Sequence, residues 1–155
     1  MTEQVKANNS ITFDTNIEEF TLNGCVKVVF SPTDLHFVEQ ILGAFSEIDA
    51  IYEQYQKEIN QISDDDETAE AAERVYEVSH RADEEIRSKI NALFDKDVCT
   101  PTIGGRSILM PANGMPVWAN LLLAIIDKFD STLTEEKKKT NPRIEKYTRK
   151  YKGTR

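Results

Sequence analysis

VEQILGAFSEIDAIYEQYQKEINQI, residues 38–62, is the stretch whose reading decides the fold. Val38, Ile41, Phe45, Ile48, Tyr52, Tyr55, Ile59 and Ile62 recur at alternating steps of three and four residues, the spacing of one apolar seam on a long helix. A helix of that length cannot bury the seam against itself, so it requires a second helix from the same chain or from another subunit. The pattern points to an assembly or binding protein before an enzyme.

Outward from this seam, Ser31-Pro32-Thr33-Asp34 reads as its start, with Ser31 accepting the orphan amides and Pro32 at the first helical position. Upstream, Ile11–Phe13, Glu18–Leu22 and Cys25–Phe30 read as strand segments with a turn at Asn23-Gly24. A three-residue loop of Asn23, Gly24 and Cys25 pairs Leu22 with Val26 and Phe20 with Val28 on one face, and burial favours it over a two-residue loop.

Downstream, the seam ends in an acidic surface loop around Asp64–Glu67, and a second helix is expected over 68–94. Ala72, Val75, Ser79, Ala82, Ile86, Ile90 and Leu93 share one of its faces. Small residues at 72, 79 and 82 would receive Tyr55, Tyr52 and Phe45, closing an antiparallel helical hairpin of about 40 Å. From 95 to 114 the periodicity stops among Pro101, Gly104, Gly105, Pro111 and Gly114, with a short strand expected at Ser107–Met110. A compact apolar helix follows over 116–130, carrying Val117, Trp118, Leu121, Leu122, Ile125, Ile126 and Phe129. The expected fold is α+β and mostly α: an N-terminal β-hairpin (11–30), a long antiparallel helical hairpin, a compact C-terminal helix and a basic tail. One domain spans 1–134 and the tail 135–155.

Length and composition agree with one core, since 155 residues with 39% hydrophobic and 30% charged content match a single helix-rich domain. No stretch approaches the roughly 20 apolar residues of a membrane span, and MTEQVKANNS has no signal-peptide core, so a soluble, intracellular protein without membrane contact is expected. Cys25 and Cys99 have no Cys-x-x-Cys spacing and read as free thiols. The net charge of −8 conceals a polarity: nine basic residues against Glu145 give the segment 137–155 a charge of +8, leaving −16 on the other 136 residues. An acidic body disfavours nucleic acid, whereas the basic tail suits an acidic protein surface, including that of a second copy.

Few residues of the chain stand in patterns that carry chemistry. The only histidines are His36 and His80, and Glu77-x-x-His80 is one carboxylate-histidine pair where a di-metal bundle needs two. Glu70, Glu73, Glu77 and Asp83-Glu84-Glu85 resemble the magnesium carboxylates of helical nucleotide pyrophosphohydrolases. Such a site requires carboxylates converging from both helices, and the first helix keeps its seam apolar. Gly104-Gly105-Arg106-Ser107 lacks the Gly-Lys-Ser/Thr ending of a phosphate loop. No catalytic, metal or cofactor residue is assigned and no cofactor is expected. Trp118 reads as core more readily than as a partner anchor. The candidate partner surface is the last helix and the tail: Trp118, Leu122, Ile125, Ile126 and Phe129, with Arg143, Lys146, Tyr147, Arg149, Lys150 and Tyr151.

The order FTLNGCVKVVF, two long helices, NALFDKDVCTPTIGG, WANLLLAIIDKF and the basic EKYTRKYKGTR resembles tail assembly chaperones and related small tail proteins of siphophages infecting Gram-positive bacteria. Phe94-Asp95, Gly104-Gly105 and the basic terminus are the short matches, and the insertion from Arg106 to Pro116 departs from the pattern. The resemblance implies a non-catalytic protein that binds the tape-measure protein and tail-tube subunits during assembly. The competing readings are a helical adaptor or inhibitor of a host protein and, more remotely, a magnesium-dependent pyrophosphohydrolase.

Overall fold

A computed structural model describes residues 3–63, 68–139 and 143. Strands β1 (Glu18–Leu22) and β2 (Val26–Phe30) form an antiparallel hairpin. Leu22 faces Val26 and Phe20 faces Val28, the register of the three-residue loop. Asn23 and Gly24 both take positive φ, and the Cys25 amide donates to the Leu22 carbonyl at 2.9 Å. The period of two then places Phe20, Leu22, Val28 and Phe30 on the inner face. Ile11–Phe13, expected as a strand, pairs with nothing among the described residues.

Helix α1 (Leu35–Ser63) begins three residues later than the sequence suggested. Pro32 and Thr33 form a turn closed from the Asp34 amide to the Ser31 carbonyl, and Asp34 accepts from the His36 amide at 3.0 Å. The cap is therefore Asp34 rather than Ser31, because the proline turn is spent on reversing the chain out of β2. Helix α2 (Ala69–Phe94) starts at Thr68, whose hydroxyl accepts from the Ala71 amide, and stops at Asp95 in the left-handed conformation. The acidic residues 64–67 lie outside the described residues.

The helical hairpin forms, with a different register from the one the small residues suggested. Glu58 pairs with Arg81 and Glu47 with Lys89 across it, and Ala71 is buried on α2 where Ala72 is exposed. Tyr55 lies beside Ala82, while Phe45 and Tyr52 turn to Trp118 of helix α4 (Val117–Lys138). At about 1.5 Å per residue, α1 is about 43 Å long and α4 about 33 Å, with 29 and 22 residues respectively.

Between α2 and α4 lie the single-turn helix α3 (Cys99–Ile103) and the two-residue strands β3 (Pro111–Ala112) and β4 (Met115–Pro116), reversed at Asn113-Gly114 with positive φ at both. Ser107–Met110 forms a turn rather than a strand, with Ile108 and Leu109 buried.

The core is built where α4 joins the hairpin. Ile41 and Ile48 of α1, Ile86 and Ile90 of α2, and Trp118, Leu122 and Phe129 of α4 are buried together with Val28 and Phe30 of β2. Trp118 meets Phe45 and Tyr52 edge-on at 5.2 and 5.7 Å. About three turns further along α4, Phe129 packs on Phe30 at 5.5 Å and Phe37 at 5.8 Å. Thus α4 runs antiparallel to the N-terminal half of α1 and covers it, and α2 covers the other flank. Beyond Tyr55 the hairpin continues as two helices, and Ile59 and Ile62 are only half-buried.

Candidate protein-binding groove

An apolar groove of about 330 Å³ opens between the hairpin and α4. One wall is the β-hairpin, through Phe20, Thr21 and Leu22 of β1, Asn23 of the loop and Phe30 of β2. Phe20, Leu22 and Phe30 share the inner face of the sheet, whereas Thr21 points to the other, so the groove that Thr21 also borders reaches the free edge of β1. Among the described residues that edge has no partner strand, because the sheet contains β1 and β2 alone. The opposite wall is α4 through Val117, Leu121, Ala124 and Lys128, and Cys99 and Ile103 of α3 close one end. The Lys128 ammonium lies 5.7 Å from the Phe20 ring centroid, placing a cation at the rim.

A polar ladder on α2 holds the floor in place. Asp83, Arg87 and Asn91 succeed one another at steps of four on one face. Asp83 accepts the Ile108 amide at 2.7 Å and pairs with Arg87 at 2.8 Å, and Arg87 donates to the carbonyls of Gly104 and Arg106. Asn91 accepts the amides of Val98 at 2.9 Å and Cys99 at 3.2 Å. The ladder pins the irregular segment 98–108 under α4, which fixes the end of the groove.

Two groups near the floor have shifted acidity. Burial pushes the Cys99 thiol up to about 11, against a smaller opposing pull from the Arg87 charge. Hydrogen bonds from Thr100, side chain first and amide second, hold the Asp97 carboxyl below its ordinary value.

The proposed partner residues separate into three groups. Trp118, Leu122 and Phe129 are 2%, 0% and 2% exposed, which places them in the chain's own core rather than on an open face. Ile125 is also buried but reaches the groove floor, and Ile126 is half-buried at the core's edge. Arg143 is an exposed helical residue, and Lys146, Tyr147, Arg149, Lys150 and Tyr151 lie outside the described residues. Sequence reasoning did not single out the outward groove stripe of Val117, Leu121, Ala124 and Lys128. The available signal was its spacing of four, three and four, offset by one residue from the core stripe of 118, 122, 125 and 129.

His80 is exposed, pairs with Glu84 at 3.1 Å and stacks on Tyr76, away from the groove. Among the described residues no three His, Cys, Asp or Glu side chains cluster as metal ligands, and no helix is long and apolar enough to cross a membrane. No family model, curated protein or solved structure matches the chain.

Proposed function

We propose that the protein is a non-catalytic assembly protein of a siphophage tail, whose groove between β1 and α4 receives a segment of a protein chain. The carrying observation is the coincidence of an apolar trough with an unpaired strand edge. A strand edge supplies main-chain donors and acceptors while the trough takes alternate side chains, which is how β-augmentation combines affinity with selectivity. The tail context rests on the sequence resemblance, under which tape-measure and tail-tube proteins are the partners.

The test is genetic and biochemical. Copurification from a phage-producing cell is expected to recover a tape-measure or tail-tube protein, and deletion of the gene is expected to stop tail formation. Normal tails after deletion, or recovery of one host protein in place of tail proteins, overturns the proposal, the latter in favour of an adaptor or inhibitor.

A further inference from the structure

Residues 11–17, ITFDTNI, alternate in the manner of a half-buried strand: Ile11, Phe13, Thr15 and Ile17 on one side, Thr12, Asp14 and Asn16 on the other. The structure leaves that side uncovered, with Ile11 90% and Phe13 80% exposed. Among the described residues, no backbone–backbone hydrogen bond joins 3–15 to the rest of the chain, and the Asp14 carboxylate accepts only from the neighbouring Asn16 amide, at 2.8 Å. A strand-forming sequence without a strand partner and a strand edge without a strand occur in one molecule.

The chain's own geometry directs this arm away from its own groove. Asn16 turns the backbone with a φ of 57° and donates from its side-chain amide to the Thr33 hydroxyl at 3.2 Å. Thr15 and Ile17 lie against Val29, Ser31 and Asp34, on the β2 side of the hairpin, whereas the groove follows the β1 edge. Residues 3–15 span up to about 40 Å when extended, enough to cross to a neighbouring molecule.

We propose that, until a tail protein engages it, the groove is occupied by the N-terminal arm of a second copy. Its residues from about 9 to 14 add a strand to β1, and Ile11 and Phe13 enter the trough between β1 and α4. Asp14, next to Phe13, then approaches the Lys128 rim. The exchange closes as a reciprocal dimer or propagates from copy to copy, depending on the rotation that relates them. This inference rests on the groove being a site for protein segments and names what covers that site in the free protein.

The experiment replaces Phe13 by the photo-cross-linker benzoylphenylalanine in a ¹⁴N chain and mixes it with an unsubstituted ¹⁵N chain before irradiation. The expected result is ¹⁴N–¹⁵N cross-linked peptides that map to β1 and to 117–128 of the unsubstituted ¹⁵N chain. They should be lost when that partner carries Ala124→Arg, a solvent-facing change that fills the trough, with its circular dichroism retained. Light scattering of the unmodified protein should give at least twice the mass of one chain. Cross-links confined to one chain show the arm folding back on its own β1 and overturn the proposal, as do cross-links that miss the groove or a monomeric mass. Copurification with tail proteins is read separately, so loss of self-pairing with tail proteins still recovered overturns this inference alone.

Discussion

At the scale of single residues, the two cysteines differ sharply in environment. Cys25 is exposed in the hairpin loop and Cys99 is buried, its thiol raised to about 11. The thiolate is the nucleophile, so iodoacetamide at neutral pH is expected to label Cys25 in the folded protein and Cys99 only after denaturation, as read by peptide mass spectrometry. Equal labelling of both in the folded state contradicts the packing at α3. Asp97 gives a pH signature of defined sign. Hydrogen bonds from Thr100 lower its pKa in the fold, so its contribution is complete above the unfolded value of about 3.9 and is lost as pH falls through the lower folded value. Urea titrations from about pH 6 down to about pH 2 are expected to show part of the acid destabilisation in the wild type and less of it in Asp97→Asn, which no longer titrates. Asn91 matters for a different reason, because its carbonyl oxygen serves two amides at once. Asn91→Ala leaves both without that acceptor and is expected to cost about 2 kcal/mol in urea unfolding, the size of a lost buried hydrogen-bond acceptor.

Among elements, α4 is the piece on which the others converge. Trp118 sits on the α1 seam at Phe45 and Tyr52, and Phe129 joins the aromatic group of Phe30 and Phe37. Trp118→Ala is expected to cost about 3–5 kcal/mol by chemical denaturation, as for other large-to-small core changes. Trp118→Phe should cost less, since it also removes an indole N–H that is buried without a hydrogen-bond partner. The α1 seam was legible because eight apolar residues hold one spacing over seven helical turns, and the register of the β-hairpin was legible because only one pairing puts the apolar residues of both strands on one face. What covers the seam was less legible. Phe45 and Tyr52 suit small residues of α2 as well as the indole of α4, and local spacing does not choose between two helices distant in sequence. The same limit hid the groove, whose walls come from β1, α3 and α4. The ladder of Asp83, Arg87 and Asn91 reads as a solvated face until the segment 98–108 folds back onto it.

For the whole molecule, the fold changes which surface remains to bind. The most apolar helix of the chain spends Trp118, Leu122 and Phe129 on the core and turns Val117, Leu121 and Ala124 toward the groove. The far end of the helical hairpin is a two-helix layer carrying Arg81–Glu58 across its surface, and exposed pairs of this kind contribute at most about 1 kcal/mol. Stability is therefore concentrated at the end where α4 and the β-hairpin meet. Hydrogen exchange is expected to be slowest at Ile41–Ile48, Ile86–Ile90 and Leu122–Ile125, and faster at Ile59–Ile62, in line with their burial. The central claim, that the trough beside the β1 edge is where this protein holds a tail protein, is tested most directly by one comparison. Wild type and Ala124→Arg are each used to recover tape-measure and tail-tube proteins from phage-producing cells, with tryptophan emission confirming that both chains are folded. The account predicts recovery by the wild type and loss of at least ten-fold, about 1.4 kcal/mol, for the folded variant. Equal recovery by both chains, or recovery by neither, contradicts it.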